Sequence, residues 1–205
     1  MKVKIRQGAF ETNSSSQHSL VIMKPELSST KKMKFFDNFK AGQQYTVWCD
    51  DEDSVFGRFP FRILNDFDSK FRYLLADKWS MAESDTEKES VYKEMKSLFE
   101  KEIGMECILM PDEYGDYGYI DKCEGGLSRA LEAEGISLED FLKDERFFIV
   151  IDGDEYCQWI DIRESGIADN SKIEKEYMIA SDSHSFGEVE FKNGTYKVIE
   201  ENTED

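Results

Sequence analysis

The chain has 205 residues, 40% of them hydrophobic and 13% aromatic, which excludes a wholly disordered polymer and suits one domain with a sizeable core. It carries 44 acidic against 26 basic side chains, for a net charge of −18, so direct binding to nucleic acid is not expected and basic partners are favoured. The imbalance is local: residues 1–48 hold 8 Lys/Arg against 3 Asp/Glu, whereas residues 49–205 hold 18 against 41.

In chain order, Lys2, Lys4 and Arg6 alternate with Val3 and Ile5, the period of a strand with one wet face. Residues 10–19 read as a polar loop, and residues 20–24 return as a second strand. Residues 45–49 (Y-T-V-W-C) read as a core strand that ends in the acidic run Asp50, Asp51, Glu52 and Asp53. Ile63, Leu64, Phe67, Phe71, Leu74, Leu75 and Trp79 then recur at helical spacing. They predict one buried stripe, with Lys70, Arg72 and Asp77 away from its centre.

Ser84 and Glu87 have capping-box spacing, Val91, Met95, Leu98, Phe99 and Ile103 share a face, and Gly104 stops this second helix. Residues 106–110 are extended and apolar. Residues 112–121 (D-E-Y-G-D-Y-G-Y-I-D) are an acidic, aromatic loop whose tyrosines suit either protein recognition or half-buried anchoring. A short helix follows over 127–134, closed by Gly135, and another starts at Ser137 with Ile136 and Phe141 placed as its staple. Residues 147–151 (F-F-I-V-I) are the strongest buried strand, turned by residues 152–155, with 156–162 pairing back. Asn193-Gly194 predicts a two-residue hairpin in which Phe191 faces Tyr196, Glu190 faces Lys197 and Val189 faces Val198.

The expected fold is therefore α+β: a mostly antiparallel sheet, two central amphipathic helices, two short helices and a C-terminal β-hairpin. Residues 1–205 form a single domain in this reading, with 63–104 as a helical insertion and 200–205 as a frayed acidic tail. Residues 1–10 lack the apolar core of an export signal, and no run approaches membrane-spanning length, so no membrane partner is expected. Cys49, Cys107, Cys123 and Cys157 form no C-x-x-C, which suits reduced thiols in a cytoplasm.

Candidate chemistry centres on residues 10–19, F-E-T-N-S-S-S-Q-H-S. The hydroxyls and backbone of Asn13, Ser14, Ser15 and Ser16 suit an anion, with Arg6 or His18 nearby, or else a self-bonded turn. A serine hydrolase is disfavoured, because there is no G-x-S-x-G elbow and adjacent Ser and His rarely reach one another productively. Asp182 and His184, together with His18 or with one of the cysteines, are ligand types that suit a zinc-like site, although their spacing is not diagnostic. Asp152, Asp154 and Glu155, with Asp161, suit either a hard cation or a solvated turn, and the turn is favoured.

Residues 6–19 (R-Q-G-A-F-E-T-N-S-S-S-Q-H-S) resemble the opening of a family of bacteriophage and Gram-positive bacterial proteins that begin F-E-T-N-S-S-S-x-H-S. A second echo is G-Y-I-D at 118–121, where the family pattern implies a following His and this chain has Lys122 and Cys123. The resemblance implies a mobile-element setting and no particular activity. With the charge, it leads to an expected acidic binding protein that inhibits a basic, nucleic-acid-handling host defence protein such as a CRISPR effector or restriction enzyme. Nucleic-acid mimicry is the expected means. The expected contacts are Asp50, Asp51, Glu52, Asp53, Asp112, Glu113, Asp116, Asp152, Asp154 and Glu155. The alternative is a small enzyme acting on a nucleotide or nucleic acid through residues 13–18.

Overall fold

In a computed structural model, the residues described are 17–25, 44–49, 54–57, 62–120, 126–152, 172–181, 189–192 and 195–198. Its largest sheet is antiparallel and four-stranded, in the order β4-β7-β1-β8, built from β1 (Gln17–Met23), β4 (Arg62–Leu64), β7 (Phe147–Asp152) and β8 (Ile173–Ser181). Alternation along the strands gives the sheet two apolar faces. Leu20, Ile22, Leu64, Phe147, Ile149, Ile151, Tyr177 and Ile179 join the main core, whereas Val21, Phe148, Val150 and Ile173 form a smaller cluster behind it. The unbroken F-F-I-V-I run is explained by this: β7 is buried on both faces.

The described residues form four helices, α1 (Phe67–Ser80), α2 (Asp85–Ile103), α3 (Gly126–Glu134) and α4 (Leu138–Lys143); α1, α3 and α4 pack on the main face and α2 packs against α1. The fold is α+β, as composition and periodicity lead one to expect. The capping box at Ser84 and Glu87 forms in full, and Gly104 closes α2 in the left-handed conformation (φ 71°) that a β-carbon disfavours. Ser137 caps α4 through the amide of Asp140, at 3.0 Å. The C-terminal strands β9 (Val189–Lys192) and β10 (Thr195–Val198) pair in the expected register, Phe191 with Tyr196, Glu190 with Lys197 and Val189 with Val198.

Several expectations are corrected. Ile63 and Leu64 do not belong to the helical stripe. The carboxylate of Asp66 accepts from the amide of Ser69 (3.0 Å) and starts α1 at Phe67, leaving the pair in β4 opposite Val150 and Ile149. Lys70, Arg72 and Asp77, expected away from the centre of the apolar stripe, are buried like the stripe itself, since α1 contacts α2, α3, α4 and a short strand. The polar loop ends earlier than its composition implies, because β1 begins at Gln17 and both His18 and Ser19 are buried. β1 has β7 on one side and β8 on the other, both from the C-terminal half of the chain. β8 has no counterpart in the sequence reading. The N-terminal strand, residues 156–162, the turn residues 193–194 and the tail lie outside the described residues.

Two further ribbons decide where the acidic segments emerge. β2 (Gln44–Trp48) pairs in parallel with β5 (Glu106–Met110), and β3 (Val55–Phe56) pairs in parallel with β6 (Tyr119–Ile120). Parallel strands leave their ribbon at the same end. The connection from β2 to β3, residues 49–54, and that from β5 to β6, residues 111–118, therefore start side by side at Trp48 and Met110. They end side by side at Val55 and Tyr119.

Candidate binding surface

The buried charges of α1 are structural, and each binds a different part of the chain. Lys70 donates to the carbonyls of Phe141 and Asp144, both at 2.9 Å, and so holds the C-terminus of α4. Burial pushes its pKa down to about 7 against the opposing pull of the Asp144, Asp66 and Glu145 carboxylates. Asp77 accepts from the amides of Leu127 (3.3 Å) and Ser128 (3.0 Å) and from the Ser128 hydroxyl (2.6 Å), which anchors the N-terminus of α3. Arg72 binds Asp68 through Nε at 2.8 Å and reaches the Trp48 carbonyl and the Ser54 hydroxyl through Nη1. Asp68 also accepts from Tyr45, and burial raises the pKa of both, Tyr45 to about 12.

Arg72 thereby ties off the first acidic connection. Cys49 and Ser54, which bracket Asp50, Asp51, Glu52 and Asp53, are both buried, and the Ser54 hydroxyl also donates to the Trp48 carbonyl at 3.1 Å. The four carboxylate residues themselves lie outside the described residues. In the neighbouring connection, Glu113 is exposed, but Asp112 and Asp116 have structural duties. Asp112 Oδ1 accepts from the amides of Tyr114 and Asp116, closing a turn, and Asp116 Oδ1 accepts from Trp79 Nε1 at 2.9 Å. Both readings of the tyrosines hold, for different residues: Tyr117 is a half-buried anchor, while Tyr114 is 81% and Tyr119 56% exposed.

His18 is placed differently from what its neighbourhood suggests. It shares a strand face with Leu20 and Ile22, is fully buried, and meets the Tyr73 hydroxyl through Nδ1 at 2.9 Å, with the rings edge to face. That alternation was the signal for a core histidine. The β1 register sets Gln17 beside Asp152 on one side and Ser181 on the other. The segments carrying Asn13, Ser14, Ser15 and Ser16, then Asp154 and Glu155, and then Asp182 and His184 thus depart from adjacent strand ends. Those residues lie outside the described ones. Among the described residues, no three His, Cys, Asp or Glu side chains gather in a way that suits a metal ion. Nor is any helix among them long and apolar enough to cross a membrane. Cys107 is buried, and burial pushes its thiol up to about 12, far from a reactive thiolate.

Sequence reasoning missed the groove between the start of α2, the end of α1 and the 111–118 connection. It is open, about 600 Å³ in volume, and its lining includes Trp79, Lys88, Tyr92, Tyr114, Asp116 and Tyr117. The tyrosine-rich string was the only sign of it, since Trp79, Lys88 and Tyr92 come from two helices whose adjacency is a tertiary fact. Comparison with known proteins adds no relative: no family model, no curated protein and no solved structure matches this chain.

Proposed function

We propose that the chain is a non-enzymatic binding protein whose acidic surface engages a basic, nucleic-acid-handling host protein, of the CRISPR-effector or restriction-enzyme kind, and blocks its nucleic-acid groove. The observation that carries this reading is the parallel pairing of β2 with β5 and β3 with β6. It brings together the strand ends that flank the two acidic connections, Trp48 beside Met110 and Val55 beside Tyr119. Mimicry of a duplex, with a charge about every 1.7 Å along its axis, needs carboxylates gathered on one face rather than scattered. The net charge of −18 supplies long-range attraction to such a partner. The enzyme alternative is weakened because the histidine of its own segment, His18, is buried in the core against Tyr73.

The test is capture from bacterial lysate at rising salt, comparing wild type with a variant carrying Asp50→Lys, Asp51→Lys, Glu52→Lys and Asp53→Lys. Wild type is expected to retain a nucleic-acid-binding protein at low salt and release it steeply as salt rises. The reversed variant should lose it while circular dichroism stays unchanged. Asp112 and Asp116 are left intact, since the Asp112 carboxylate closes the turn and that of Asp116 holds the Trp79 indole. Capture that survives the reversal but is lost on replacing Ser14, Ser15 and Ser16 with Ala would move the function to the serine segment.

A further inference from the structure

The groove beside the 111–118 connection already contains a cation. Lys88 Nζ lies 5.1 Å over the Trp79 ring and 3.8 Å from Asp116 Oδ1. The walls are fixed: Trp79 is bonded to Asp116 and packs edge-on against Tyr117 at 4.6 Å, which in turn packs on Tyr92 at 5.8 Å. The lip is fixed too. The amides of Tyr114 and Asp116 both bond Asp112 Oδ1, the Asp112 amide returns to the Asp116 carbonyl at 2.8 Å, and Gly115 takes φ 87°. A rigid turn thus presents an aromatic ring, 81% exposed, at the mouth of a groove of aromatic faces and a carboxylate. Aromatic faces beside a carboxylate attract ammonium and guanidinium groups, and arginine also stacks.

We propose that this groove receives an arginine side chain from a basic segment of a partner protein, with Lys88 as the internal occupant that the incoming guanidinium displaces. Lys88 can leave, because its side chain is 37% exposed at the start of α2. Charge complementarity selects the occupant: the chain's net charge is −18, and although Lys93 pairs with Glu89 on the groove wall at 2.7 Å, Asp85, Glu89 and Asp116 outnumber the two lysines of the lining. The inference rests on the reading that the partner is basic, and it adds where one of that partner's side chains is held. Tyr114 is the anchor ring, and Asp116 is the counter-charge.

The experiment uses the full chain carrying Trp48→Phe and Trp159→Phe, so that Trp79 is the only indole. The probe is a short peptide alternating glycine and arginine, and the same peptide with citrulline for arginine is the neutral control. Saturable quenching of Trp79 by the arginine peptide alone is expected. Lys88→Met should tighten binding about tenfold, and Tyr114→Ala and Asp116→Asn should each weaken it about tenfold, the range of a partly desolvated cation–π contact. Lys101→Met makes the same charge change at the far end of α2 and should leave affinity unchanged. Equal gains from Lys88→Met and Lys101→Met would reduce the effect to bulk charge and overturn the proposal, as would an unaffected Tyr114→Ala. If the peptide ignores the groove while partner capture still depends on residues 50–53, this inference falls and the functional reading stands. If the peptide binds as stated while charge reversal leaves capture intact, the functional reading falls alone.

Discussion

Replacing Asp77 with Ala tests whether a buried charge on α1 holds α3 in place. The carboxylate is fully buried and accepts three hydrogen bonds from the first turn of α3, two from backbone amides and one from the Ser128 hydroxyl. Removing it leaves the Leu127 and Ser128 amides without that acceptor, at about 1–3 kcal/mol for each donor left unsatisfied. It also removes an anion from a helix N-terminus, a contact worth up to about 2 kcal/mol when partly buried. Against this, the carboxylate no longer has to be desolvated, which returns several kcal/mol. The balance expected is a loss of about 3 kcal/mol, read from the urea midpoint at constant m. Asp77→Asn should lose less, because one acceptor oxygen remains and the Ser128 hydroxyl can turn to accept from the new amide. Hydrogen exchange at Leu127 and Ser128 should accelerate in both variants. An alanine variant within about 0.5 kcal/mol of wild type, the range of an ordinary surface change, would refute the capping argument.

Two more outcomes follow from the same helix and its neighbours. Lys70 titrates at about 7 when folded and near its ordinary value of 10.5 when unfolded. The unfolded chain thus binds more protons above pH 7, and stability should rise with pH. The rise should be about 1.5 kcal/mol between pH 7 and 8.5, below the range where unfolding lets Cys107 ionise, and Lys70→Met should abolish it; a wild-type curve that is flat or falling in denaturant melts at these pH values contradicts the assignment. Gly126→Ala should lower the melting temperature although Ala is the better helix former, because a β-carbon there would overlap the backbone of Ile179 on β8. A rise in melting temperature would show that the two segments are not in contact.

The amino-acid sequence by itself determined the elements whose signals are local. The capping box at Ser84 and Glu87, the stop at Gly104, the Ser137 cap, the doubly buried β7 and the register of β9 with β10 depend on neighbours within a few residues, and periodicity and turn chemistry report them. Tertiary structure decided everything that depends on which elements meet. Helical spacing placed Lys70, Arg72 and Asp77 off the apolar stripe, but enclosure of α1 on several sides put them in the core. There, backbone groups of α3, of α4 and of the end of β2, with the Ser54 hydroxyl and the Asp68 carboxylate, satisfy them. His18 looked like a loop ligand because its neighbours are polar, while the pleat of β1 turned it onto Tyr73. Two acidic segments about 60 residues apart in sequence emerge together only because β2 and β5, and β3 and β6, pair in parallel. Such non-local pairing leaves no periodic mark on either partner.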